Sequence, residues 1–404
     1  MESAATVVSS RSPLVGWLAV ISVMMGIFSI VTTEILPIGI LTPIGASYEI
    51  SDGTAGLMMT MPGLLAAIAA PTVTVSTARL DRRSMLCVLM LVLAFADFLA
   101  AVAPAYWVMV LSRVLVGFVI GAFWSIGSGL AGRLVRPESK AKATAVIFSA
   151  VPLGSVIGVP AGTFIADIAG WRATFVVMGV LTLGVFAALV AFLPSLPAVE
   201  ATRLSALRGM FASSAVRLGL VITFLIVLAH FGTYTYVTPF LEDVTNAGPS
   251  AITAFLLVFG IAGVVGNFIA GALAARNVGA TFGLAGCMIA GATLLLPAVG
   301  HSAIGAMVLL AVWGLAYGGV PVCSQTWFVK SSPSATEAAS VLFTSSFQAT
   351  ISTGALLGGV VVDATSPSIV MLLGGAVAVL MVLIQQAFNT SSIARFSFAD
   401  THSR

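Results

Sequence analysis

Apolar residues fall along the chain in twelve windows, near 15–42, 53–75, 84–103, 106–130, 142–166, 172–193, 217–240, 250–274, 279–298, 303–327, 338–361 and 368–388. Each is about the 20 residues a helix needs to cross a bilayer. Inside hydrocarbon every backbone N–H and C=O must find its partner within the segment, so runs of this length are predicted to be helices. The 40 glycines do not oppose that, because small residues let membrane helices approach closely. The first window opens near Trp17 with one positive charge, Arg11, before it and no clear small-x-small cleavage site, so it reads as a retained first span. The expected fold is an all-α membrane protein of twelve transmembrane helices in two pseudo-symmetric six-helix bundles. The expected segments are a tail over 1–14, a bundle over 15–193, a linker over 194–216, a second bundle over 217–388 and a tail over 389–404.

Composition sharpens this. Of the 404 residues 59% are apolar and 8% charged, against roughly 45–50% and 25% in soluble domains. Twelve spans use the whole length, leaving no room for a sizeable soluble domain. A net charge of +3 is too small to point to nucleic acid. Cys87, Cys287 and Cys323 are odd in number and scattered, which fits neither a disulfide framework nor a zinc site. No cofactor or metal is expected. Placing both termini in the cytoplasm puts fifteen of the 17 Lys and Arg on that side or in the tails, with Glu49, Asp52, Asp167, Glu242, Asp243 and Asp363 opposite. A bacterial inner-membrane protein with cytoplasmic termini is the reading this asymmetry favours, and a monomer is expected.

The two halves overlay at an offset near 196. Gly158, Gly162 and Asp167 match Gly354, Gly358 and Asp363; Gly117 and Gly121 match Gly314 and Gly318; Arg133 matches Lys330 and Arg82 matches Arg276. Parallel six-helix halves with a site between them at the midplane are a transporter architecture.

Four stretches carry a family likeness. Ala78-Arg79-Leu80-Asp81-Arg82-Arg83 is similar to a Gly-x-x-x-Asp-Arg loop, with Thr77 in place of the first Gly, and Gly271 to Gly279 is its second copy without the acid. Arg113-Val114-Leu115-Val116-Gly117 resembles a buried-Arg motif in span 4, and Gly154 to Gly162, with Pro160, resembles an antiporter motif in span 5. On these the chain resembles the major facilitator superfamily, in its drug:proton antiporter branch. Thr33 to Pro37, Gly121 to Ser125 and Tyr234 to Pro239 resemble purine-ribonucleoside, sugar and arabinose efflux carriers. The resemblance implies export in exchange for protons. It also implies that Asp81 and Arg82 latch the cytoplasmic side, and that Gly154, Gly158, Pro160 and Gly162 pack span 5 on span 8. Arg276 belongs to the same expected gating set or is a plain topology signal.

Three ionisable residues lie within spans: Glu34, Asp97 and Arg113. At about 1.5 Å per residue they sit roughly 12, 9 and 10 Å below the outer ends of their helices, in one layer. If the family fold holds, spans 1 and 4 line the cavity, and Glu34 is the proton acceptor with Arg113 tuning it. Span 3 is peripheral in that fold, so Asp97 is either a third member or a residue snorkelling at the lipid edge. The repeat maps Glu34 onto His230, which either titrates or hydrogen-bonds a solute. Solute contacts are expected from Trp124, Tyr234, Tyr236, Asn267, Trp313, Tyr317, Gln325 and Gln348, although aromatic residues in membrane helices also serve as core or lipid-facing groups.

The reading is a secondary exporter of a small organic solute, a nucleoside, sugar or drug, working with protons and the lipid bilayer. An uptake or facilitative permease of the same fold is the alternative. A membrane enzyme would need a catalytic cluster that three scattered His do not supply. An ATP-driven pump would need a Walker-type loop that the chain lacks.

Overall fold

The computed structural model describes residues 13–76, 80–127, 130–197, 213–331 and 336–401. Most of the expected linker, with Arg203 and Arg208, lies outside the described residues, as do Thr77, Ala78, Arg79 and most of the N-terminal tail. Nearly all of the described residues are helical, joined by short turns. The spanning helices are α1 (Pro13–Ile35), α2 (Leu57–Ser76), α3 (Arg82–Ala101), α4 (Tyr106–Gly127), α5 (Ala150–Ala169), α6 (Trp171–Phe192) and α7 (Ser214–Tyr234). They are followed by α8 and α9 within Pro249–Val299, then α10 (Ala303–Gly318), α11 (Thr336–Ala364) and α12 (Pro367–Thr401). α12 runs beyond the expected end at 388.

The run Pro249–Val299 is 51 residues long, which as one straight helix would be about 76 Å, more than twice the hydrocarbon thickness. It breaks at Asn277, whose φ of −147° and ψ of 94° are not helical. Local chemistry makes the break. Asn277 Oδ1 caps the start of α9 by accepting from the Ala280 N–H at 3.0 Å. Lys330 Nζ donates to the carbonyls of Ala274 and Ala275, which end α8. Among the described residues, eleven helical runs are therefore long and apolar enough to cross a membrane, and the broken one is long enough to do so twice.

The duplication appears in the packing. Gly117 and Gly121 of α4 meet the carbonyls of Pro62 and Ala66 on α2; Gly314 and Gly318 of α10 meet those of Phe259 and Gly263 on α8. Gly158 and Gly162 of α5 abut Thr32 and Leu36 of α1; Gly354 and Gly358 of α11 abut Leu228 and Gly232 of α7. Every donor and every contact repeats at 196 or 197. A side chain at these positions would hold the helix backbones apart and forfeit the dispersion contacts that join them in lipid.

This corrects one expectation. The small residues of α5 do not form its contact with α8: Gly154, Gly158 and Gly162 face Val31, Thr32 and Leu36 in their own bundle. The close approach of α8 to α5 is made at Gly260, where an added Cβ would stand 2.8 Å from Val156 Cα and 3.4 Å from Val156 O. Pro160 is buried within α5 and has no N–H to give to Val156 O, so the open carbonyl lies where α8 comes closest. Thr253 of α8 donates to Thr163 of α5 at 2.9 Å beside it.

One end of the molecule carries Arg82, Arg83, Arg133, Arg136, Lys140, Arg276 and Lys330, and the other carries Glu49, Asp52, Asp167, Glu242, Asp243 and Asp363. The bundles join toward the acidic end. Thr238 donates to Ile38 O at 2.9 Å, Ser352 to Thr60 O at 2.7 Å, and Ser51 to Asp363 at 2.7 Å. An apolar cluster there mixes Leu36, Leu41, Ile44 and Met58 with Tyr236 and Val362.

Candidate functional site

Thr33 and Glu34 are consecutive on α1, so their side chains leave the helix about 100° apart. Glu34 turns toward the second bundle. Gln348 Nε2 of α11 donates to Glu34 Oε1 at 2.9 Å, and both residues are buried. An acid that is costly to bury in a membrane protein thus sits on the boundary between the two halves, in a bond to the opposite half.

Thr33 turns the other way, into the first bundle. Its hydroxyl donates to Asp97 Oδ2 of α3 at 3.4 Å, and its carbonyl accepts from Arg113 Nη1 of α4 at 2.8 Å. The Arg113 guanidinium also lies 5.2 Å from the Phe175 ring centroid, a cation–π distance. Asp97 and Arg113 are both 0% exposed. Asp97 Oδ1 and Arg113 Nη2 have no hydrogen-bond partner among the described residues, and the two groups compensate each other's charge in the buried interior without direct contact. One expectation changes here. Asp97 is an interior residue and does not snorkel to lipid.

His230 occupies the position in α7 that Glu34 holds in α1. It is 1% exposed and enclosed by rings. Tyr317 stacks on it with centroids 3.3 Å apart, Tyr234 at 5.0 Å, and Phe231 meets it edge-on at 4.9 Å. Trp313 Nε1 donates to His230 Nδ1 at 3.1 Å. An indole N–H can only donate, so Nδ1 carries a lone pair and the ring is uncharged here. This geometry makes His230 the centre of an aromatic box.

The expected solute-contacting residues divide. Tyr317 is partly exposed beside the box, whereas Tyr234 and Trp313 are buried within it. Gln348 is engaged by Glu34. Tyr236 is 0% exposed at the acidic end, and its hydroxyl donates to Ala355 O at 2.7 Å. Trp124 is half-buried against Phe148, Asn267 is half-buried on α8, and Gln325 is exposed.

Of the expected gating residues, Asp81 caps α3 by accepting from the Ser84 N–H at 3.1 Å, and accepts from Ser195 Oγ and the Leu196 N–H, both at 2.7 Å. Slight burial works against ionisation of Asp81, but these bonds prevail and hold its carboxyl below the usual range. The Arg82 N–H donates to Leu196 O at 2.9 Å and Arg133 Nη2 to Pro197 O at 2.8 Å. In this state the cluster ties the chain leaving α6 to its own bundle. Arg276 is exposed at the α8–α9 break.

Three positions were not anticipated. Thr33 is an ordinary hydroxyl in an apolar run, and Phe259 one of 24 phenylalanines. Asp363 was visible only as an acidic-face charge in the repeat.

A model of the family described as Major Facilitator Superfamily matches residues 16–352. Among solved structures, a bacterial homologue of the human lysosomal transporter Spinster, inward-facing and unoccupied, is 16% identical with a TM-score of 0.68, over 93% of this chain and 96% of that one. The same kind of homologue in an inward-facing, occupied conformation is 15% identical with a TM-score of 0.73, over 94% and 97%. The human organic anion transporter MFSD10 is 16% identical with a TM-score of 0.67, over 93% and 100%.

Proposed function

Because this chain belongs to the Major Facilitator Superfamily and has the fold of a multi-pass membrane transporter, we propose that it exports a small organic solute in exchange for protons, by alternating access of its two bundles. The observation that carries this reading is the Glu34–Gln348 bond at 2.9 Å across the halves. An amide bonded to a carboxylate is charge-assisted and roughly twice as strong as its neutral counterpart. Proton uptake by Glu34 weakens the tether and proton release restores it, so protonation is felt at the surface on which the halves move. A solute that donates to the same carboxylate competes with the proton, which is the exclusion an antiporter requires.

The half-exposed face of Tyr317 beside Glu34 supports a flat or ring-bearing solute, and nucleosides, sugars and ring-bearing drugs are the classes to test. Taking the basic end as cytoplasmic, the bonds gathered at the acidic end support an inward-open state and placement in the bacterial inner membrane.

The test uses proteoliposomes with an imposed pH gradient and a panel of inosine, arabinose and ethidium. The solute is first assigned by protection of a sensitive strain on overexpression. Glu34→Gln is expected to retain solute binding and lose accumulation driven by the gradient. Accumulation at the wild-type level in that variant would reject proton coupling through Glu34.

A further inference from the structure

Asp363 lies one residue from the end of α11, and its carboxylate crosses to the first bundle. Oδ1 accepts from the Gly53 N–H at 2.8 Å and Oδ2 from Ser51 Oγ at 2.7 Å. Ser51 is the N-cap residue of the turn Asp52–Ala55 that leads into α2. An acid of one bundle therefore completes the first turn of a helix path in the other, with charge-assisted bonds and a favourable helix dipole. Gly53 is held so close that an added Cβ would strike Gly359 O and the Asp363 carboxylate. Beside it, Gly56 leaves room for the Tyr236 hydroxyl, and Tyr106 donates to Thr54 O at 2.7 Å.

The acids facing this point oppose closure. Asp52 feels Asp243 and Asp363, and Glu242 feels Asp52 and Asp243. Burial lifts the Glu242 carboxyl above its usual range against the opposing pull of Thr42, and the like charges of Asp52 and Asp243 add to the rise. Closing the acidic end gathers carboxylates, and the two bonds of Asp363 offset that repulsion. The repeat supplies an internal control: Asp167, at the matching position of α5, is exposed and makes no bond to the second bundle among the described residues.

We propose that Asp363 is a positioning residue, a latch on the acidic end that selects the state seen here and whose release shifts the bundles toward the opposite state. The proposal rests on alternating access, but not on protons or on Glu34.

Hydrogen exchange read by mass spectrometry on the full chain in nanodiscs tests it. Asp363→Ala removes both acceptors, and Gly53→Ala blocks the approach without changing charge. Each is expected to raise exchange over 51–60 about tenfold, the usual worth of a charge-assisted pair, and to lower it over 140–148 at the basic end as that end closes. Asp167→Ala is expected to change neither. Solute affinity from the basic side falls, while the midpoint of the transport pH profile stays in place. Unchanged exchange in both Asp363→Ala and Gly53→Ala overturns the latch, as does a rise at the acidic end with no fall at the basic end, which would make Asp363 a local cap only. Failure of the proton reading is seen separately, in Glu34→Gln transport.

Discussion

The two bundles share a frame and differ in what they enclose. Glycines at 117, 121, 158 and 162 have counterparts at 314, 318, 354 and 358, and each pair meets matching neighbours. Inside the first bundle that frame holds Asp97, Arg113 and Thr33. At the matching places of the second stand Thr293, Leu310 and Ala229, all buried and none charged. Glu34 is answered by His230. The second bundle gathers Tyr234, Phe259, Trp313 and Tyr317 around that histidine. Duplication preserved the contacts that let helices pack and left the enclosed chemistry free to diverge. One half became a charged interior and the other an aromatic one.

The harshest way to break this contrast is to give the first bundle the contents of the second. Arg113→Leu alone strands Asp97 in the buried interior and is expected to cost about 3 kcal/mol or more in thermal unfolding in detergent. Asp97→Thr with Arg113→Leu removes both charges and is expected to recover most of that stability without recovering gradient-driven transport. Full recovery of transport would mean the buried pair is only packing.

A smaller effect is expected in the second bundle. His230→Leu leaves the Trp313 N–H without an acceptor, at a cost of about 1–3 kcal/mol. Because His230 is uncharged in the box, the variant is expected to shift solute preference while leaving the pH profile of transport unmoved. A displaced profile would place His230 on the proton path.

The smallest effect is at the basic end. Asp81→Ala removes the cap on α3 and is expected to cost about 1 kcal/mol at neutral pH. The sign follows from its lowered folded value. The contribution is complete above the ordinary carboxylate pKa, near 3.9, and fades as pH falls through the folded value. Wild type and variant should therefore differ equally at pH 7 and pH 5.5 and converge only in strong acid, as followed by thermal scans.

Much of the fold was legible in the chain. Apolar windows marked the spans, and the break between α8 and α9 falls between the expected windows 250–274 and 279–298, at Arg276-Asn277. The repeat announced that Gly117 and Gly314 would do the same work, because a close helix approach admits only small side chains. The partners of those glycines were harder to read. The α5 motif pointed to α8, yet its glycines face α1, and Gly260 of α8 makes the close approach to α5. A glycine declares that something comes near and does not say what.

The charged site divides along the same line. Counting residues along a helix measures depth at a fixed rise, so the sequence alone placed Glu34, Asp97 and Arg113 in one layer. Depth says nothing of which way a side chain points around its axis, and that rotation is set by packing against every neighbouring helix at once. Only the tertiary structure could send Thr33 inward to Asp97 and Arg113 while sending Glu34, one residue on, across to Gln348.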